Sequence, residues 1–239
     1  ATVWAEEPGD IGGLWKQRLR WARGNVQVTK QFKKVWCRPS PVHRLGSVSF
    51  SVFWFCLFLL PVFMIVASAS LITLYFSNFA MAWIVFHVLW IINALTYVFI
   101  TSFVLMMDWV TGRHAWIEGI LFPGAVSLSI IIAACFPRLV RMIFYDVLPV
   151  MGIVLTPAER RTLVLFAYAW LAGSMLVAYL GKAIAPRRYG RVPAAAFIYI
   201  AGYGPLLCAC TFASYIKELR HAEMKWDKTE KTGKVAMPV

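Results

Sequence analysis

Residues 46–107 contain no Asp, Glu, Lys or Arg, and that run limits more than any other feature what this chain can fold into. A helix that crosses a bilayer needs roughly 20 apolar residues, so the run can supply two of them. A water-soluble fold has no use for such a segment. The rest of the chain agrees: 60% of residues are hydrophobic and only 15% are charged, whereas soluble domains carry roughly a quarter. The pattern predicts an integral membrane protein.

Net charge is +13, which in a soluble chain would suggest nucleic acid. Here Lys and Arg cluster beside apolar runs, the distribution expected of membrane topology and anionic headgroups, with a nucleotide diphosphate as a second partner. No nucleic-acid partner is expected. Residues 1–45 are basic and mostly polar and do not read as a cleaved secretory signal; either the first span acts as the membrane signal or a segment lies upstream. Lys30, Lys33, Lys34, Arg38 and Arg44 lead up to that span and put residues 1–45 on the cytoplasmic side by the positive-inside rule. Cys37, Cys56, Cys135, Cys208 and Cys210 show neither C-x-x-C spacing nor a His at ligand spacing. They read as small packing residues, not a metal site.

Breaks in the apolar pattern set the organisation. Spans are predicted at about 48–75 and 79–107, joined by Ser77-Asn78, a turn short enough to force an antiparallel pair. Residues 108–118 form a loop returning to the cytoplasmic side, with Trp109 and Trp116 as interfacial anchors. Residues 119–136 are apolar but broken by Pro123-Gly124, and 137–155 carry Arg138, Arg141 and Asp146, so 119–155 reads as an interfacial or re-entrant segment. The last spans fall at about 162–181 and 194–216, with Lys182, Arg187, Arg188 and Arg191 in the loop between them. If both termini are cytoplasmic, four spans force that basic loop outward, against the positive-inside rule; six spans are the alternative. The expected fold is an all-α membrane protein, with cytoplasmic interfacial helices in 1–45, a membrane domain over 46–216 and a cytoplasmic tail over 217–239.

The chemistry-bearing residues precede the spans. Pro8-Gly9 breaks the chain, and Asp10 can cap a helix starting near Ile11. Leu14, Gln17, Trp21 and Gly24 recur at helical spacing, with Lys16, Arg20 and Arg23 opposite, so the helix should lie in the membrane interface. Trp21 offers a flat face for a sugar ring and an indole N–H for a hydroxyl. Gln17, one turn away, both donates and accepts, and Arg18 or Arg20 can hold phosphate oxygens in fork geometry. A basic interfacial helix that binds no substrate would have the same composition. The whole string at residues 13–24, GLWKQRLRWARG, contains Gln17, Arg20 and Trp21 in the spacing Q-x-x-R-W. It resembles the acceptor-site motif of processive family-2 glycosyltransferases, the membrane synthases of cellulose, chitin, hyaluronan and poly-N-acetylglucosamine, and looks most like the last of these.

That resemblance implies a polysaccharide acceptor resting on Trp21 and leaving between the spans, a UDP-sugar donor such as UDP-N-acetylglucosamine, and a bacterial inner membrane. It also implies Mg²⁺ or Mn²⁺, held in the family's α/β nucleotide-sugar domain by a D-x-D motif, with the general base in a T-E-D motif. Glu6, Glu7 and Asp10 form neither motif, and 239 residues made mostly of spans do not also hold a domain of roughly 150 residues. The chain is therefore expected to be the membrane-channel and acceptor-binding part of such a synthase, either as a fragment or as a subunit beside a separate catalytic chain. No catalytic residue, metal site or cofactor is expected within it, and whether it counts as an enzyme stays open. Residues 226–233, WDKTEKTG, loosely resemble a cellulose synthase gating loop, which makes Trp226, Thr229 and Lys231 a candidate nucleotide gate; a solvated tail reads equally well.

Other residues carry less. His87 sits in an uncharged span and reads as a neutral imidazole bonded to a neighbouring helix. Asp108 and Asp146 lie at interfacial positions without a partner acid. Trp54, Trp83, Trp90, Tyr97 and Trp170 could line a polysaccharide channel, though helix packing explains them as well. The rival from another class is a small transporter or channel, against which the sequence lacks two-half symmetry and paired broken helices.

Overall fold

The computed structural model describes residues 8, 10–38, 48–107, 109–184 and 191–223. These residues are almost wholly helical and include no strand. Three helices are long and apolar enough to cross a membrane, or up to five if each of two sharply bent helix pairs is one span. The most apolar window in each of the first two has only 17% of its residues buried inside the protein. Many of their other apolar side chains are exposed, as expected of helices that face lipid. The chain forms two compact units, one of residues 1–63, 178–196 and 206–239, the other of residues 64–177 and 197–205.

The first unit begins with α1, Ile11–Gln31. Asp10 caps it as expected, its carboxylate accepting from the Gly13 N–H at 2.6 Å, which satisfies one of the orphan donors of the first turn. Residues 33–37 turn, and Cys37 enters the left-handed region at φ 55°, where its N–H donates to Ser51 Oγ at 2.9 Å. Ser51 belongs to α2, Val48–Phe58. Trp36 locks this corner: its indole stacks on Trp54 and Phe50 and meets Phe55 edge-on. Its N–H donates to Thr29 O, and that of Trp54 donates to Thr29 Oγ1. Thr29 thus ties two tryptophans to the end of α1. The first predicted span is interrupted at Leu59, because Pro61 in the opening turn of α3, Leu60–Ser77, supplies no N–H to continue α2.

The second unit is built on a core of Leu71 from α3, Phe86 and Trp90 from α4, Phe79–Met107, Ile130, Ile131 and Ala134 from α6, Ala125–Cys135, and Tyr168 and Trp170 from α9, Pro157–Ile184. Two buried hydrogen bonds cross it. Ser68 Oγ donates to Tyr168 O at 2.9 Å, and Trp170 Nε1 donates to Ser127 Oγ at 2.9 Å. Asn78 caps α4 by accepting from Met81 N–H. Thr156 and Glu159 close a capping box at the head of α9, with Pro157 at the first helical position.

Two stretches depart from the sequence reading, and a third, expected as interfacial or re-entrant, is sharply bent. Residues 109–118, expected as a loop, form most of α5, Trp109–Leu121. Gly112 lets this helix fold against α4, since a Cβ there would stand 3.0 Å from Leu105 Cα. Between α6 and residue 150 the chain turns by 100° through α7, Pro137–Met142, a π-helical turn, Ile143–Val147, and the short α8, Leu148–Val150. The expected span 194–216 is not continuous: α10, Arg191–Ala201, and α11, Tyr203–Leu219, meet at 94° across Gly202. Gly202 has φ +92°, and a Cβ on it would lie 2.4 Å from Pro123 O. A Cβ on Gly124, at φ +88°, would lie 2.6 Å from Gly202 N. Two helix breaks therefore pack backbone to backbone, which only glycine permits.

Candidate functional site

About 100° of rotation per residue divides α1 into two faces. Ile11, Trp15, Leu19, Ala22, Val26 and Thr29 form the buried stripe. Gln17 and Trp21, four residues apart, lie on the side turned away from it. The sequence reading had placed the apolar side on Leu14, Gln17 and Trp21; the structure buries the neighbouring stripe instead, because its partners are the end of α9 and the end of α11. Trp15 meets Tyr179 edge-on at 4.9 Å, and Lys182 Nζ stands 5.3 Å above the Trp15 ring. Trp21 is left 51% exposed.

Arg23, expected among the outward cations, is the second correction. It is buried and forms an ion pair with Glu218, Nε to Oε1 at 2.6 Å. Its remaining donors reach the backbone past the end of α11, Nη2 to Ala222 O at 2.6 Å and Nη1 to Glu223 O at 3.2 Å. That end closes as a Schellman turn: His221 has φ 50°, Ala222 N donates to Lys217 O, and His221 N donates to Glu218 O. A guanidinium suits this place because it bonds carbonyls just beyond the helix and lies at the negative end of the helix dipole. A partner 195 residues away leaves no local trace in sequence.

The candidate acceptor residues are thus held on a docked helix. Arg18 lies over the Trp21 ring at 4.4 Å, fixing the indole while its outer face stays open. Gln17 Oε1 is buried and accepts no hydrogen bond among the described residues, so a turn of the side chain would be needed to bring it to an incoming hydroxyl. Arg20 is half-buried. The structure therefore brings Gln17, Arg18 and Trp21 together and sets Arg20 one residue round the helix. Trp226, Thr229 and Lys231 lie outside the described residues, as does Asp108.

The remaining candidates resolve into packing. His87 Nδ1 sits 2.9 Å from Trp83 O of its own helix, not a neighbouring one. Trp90 and Trp170 are core residues; Trp54, half-buried, is bonded to Thr29, Tyr97 is half-buried and Trp83 is exposed. Cys208 and Cys210 are buried, whereas Cys37 and Cys56 are exposed. Among the described residues no three His, Cys, Asp or Glu side chains gather as a metal site. No family model matches the chain, and no curated protein or solved structure matches it.

Proposed function

We propose that this chain is the membrane and acceptor-binding part of a processive β-glycosyltransferase that polymerises a UDP-sugar, UDP-N-acetylglucosamine first among them, and exports the product. The observation that carries the reading is the presentation of the Q-x-x-R-W residues. α1 is anchored through Trp15 and Arg23 on one side and offers Trp21 and Gln17 on the other. Glycosyl transfer needs the terminal sugar held still while its hydroxyl attacks C1 of the donor and the nucleoside diphosphate leaves. A ring packed on Trp21 with one hydroxyl donating to Gln17 is held in that way. Arg18 and Arg20 supply positive charge for the departing diphosphate. The general base, the D-x-D motif and its Mg²⁺ or Mn²⁺ are assigned to residues outside these 239.

Topology supports the same reading. Lys182 stands over Trp15, and Glu218 pairs with Arg23. Trp15 and Arg23 are separated by about 12 Å of helix, far less than the roughly 30 Å hydrocarbon core. We infer that 182 and 218 lie on one side of the membrane and that the bent α10–α11 pair enters and returns. The crossings are then α3, α4, α6 with its bent continuation, and α9. The Lys182 end of α9 then shares the cytoplasmic side with α1, in keeping with the positive-inside rule.

A second reading draws on one observation. The backbone-to-backbone packing of the Pro123-Gly124 and Gly202 breaks supplies the paired interrupted helices that the sequence reading lacked, a feature of secondary transporters. The two readings diverge on ligand. Titration of the purified chain with β-linked N-acetylglucosamine oligosaccharides should show binding that Trp21→Ala abolishes. Absence of any oligosaccharide binding returns the α1 string to a plain interfacial anchor and favours the transporter.

A further inference from the structure

The second unit contains a crevice of about 680 Å³, within the range of ligand pockets, that the acceptor platform does not use. Its walls come from α4, α6 and α9 and are apolar, with Phe86, Ile130, Val164 and Ala167 among them. Its chemistry changes at one end, where Arg141, Tyr145 and Arg160 line it. A shallower opening bounded by Arg138, Arg141, Tyr145 and Asp146 adjoins that end. Arginine is costly at membrane depth unless it meets an anion or reaches the headgroup level. Here three gather where a helix bends by 100°, against one acid, Asp146, among the described residues that line the two openings; Glu159 nearby in sequence is committed to Thr156.

Arg160 shows how the end is built. Its Nη1 donates to Tyr145 OH, its guanidinium lies 5.1 Å from that ring, and its Nε is buried without a partner among the described residues. A buried guanidinium N–H with no acceptor is an open valence for an anion. Tyr145 lies in a π-helical turn, Ile143–Val147, a local underwinding that recurs at functional sites.

We propose that this crevice binds an anionic membrane phospholipid, its phosphate held by Arg141 and Arg160 at the Tyr145 end and an acyl chain along the α4, α6 and α9 wall. Charge complementarity and the apolar length behind it select a lipid over a soluble phosphate. The proposal is independent of the glycosyltransferase reading.

The test is native mass spectrometry of the full chain from mixed micelles holding equal amounts of phosphatidylglycerol and phosphatidylcholine, with and without excess inorganic phosphate. The wild-type chain should retain phosphatidylglycerol preferentially. Arg141→Gln, a substitution at an exposed side chain that should not disturb folding, should lower retention about tenfold, as loss of one charged hydrogen bond implies. The pair Arg141→Gln and Arg160→Gln should remove the preference, and Arg141→Lys should keep most of it. Inorganic phosphate should leave the lipid in place. Equal retention of both lipids by wild type, retention unchanged in Arg141→Gln, or displacement of the lipid by inorganic phosphate each overturns the proposal.

Discussion

Replacing Arg23 with Met should release α1 from the unit it is docked on. The side chains of Arg23 and Glu218 are 8% and 13% exposed, so truncating one leaves the other buried without compensation. After the change, Glu218 would keep only the Gln27 amide at 3.4 and 3.5 Å, and two carbonyls beyond α11 would lose their donors. Breaking a buried pair costs about 3–5 kcal/mol. Because about 1.4 kcal/mol is a factor of ten, hydrogen exchange of α1 amides that open with undocking should accelerate by roughly two to nearly four powers of ten. Met at both Arg23 and Glu218 should recover part of the loss, since no charge is then stranded. Arg23→Lys should fall between, because an ammonium cannot span Glu218 and both carbonyls. Acceleration of less than tenfold in Arg23→Met would refute the claim that this contact anchors the platform.

Other expectations test separate parts of the account. Gly202→Ala combines φ +92° with a Cβ 2.4 Å from Pro123 O and should destabilise by about 2–5 kcal/mol; thermal unfolding in detergent within 1 kcal/mol of wild type would mean the breaks do not touch. Asp10→Ala should cost about 1 kcal/mol and fray only the first turn of α1, read by exchange at Gly13. In a background without the native cysteines, Arg188→Cys and Arg220→Cys should label from one side with an impermeant maleimide and Ser77→Cys from the other. Labelling of 188 and 220 from opposite sides would restore 194–216 as a crossing.

Where a feature is written locally, the sequence carries it. The uncharged run announces α3 and α4, Asp10 announces the start of α1, and Pro123-Gly124 announces the break before α6. Thr156, Pro157 and Glu159 spell the capping box at the head of α9. What was not legible depends on distant partners. The buried stripe of α1 is set by Tyr179 and the end of α11, and Arg23 looks like any surface cation until Glu218 is placed beside it. Gly202 looks like an ordinary small residue in an apolar run; its role follows from Pro123, far away in sequence. Within the candidate site, Gln17 and Trp21 were placed on one face by spacing alone, whereas Arg18 over the indole needed coordinates.

The most direct test of the central claim is polymer formation in membranes that contain this chain together with the nucleotide-sugar domain that the proposal requires, supplied with radiolabelled UDP-N-acetylglucosamine. The account predicts polymer from the wild type. It predicts none from Trp21→Ala, with membrane insertion unchanged in that variant. Wild-type polymer yield from Trp21→Ala would contradict it.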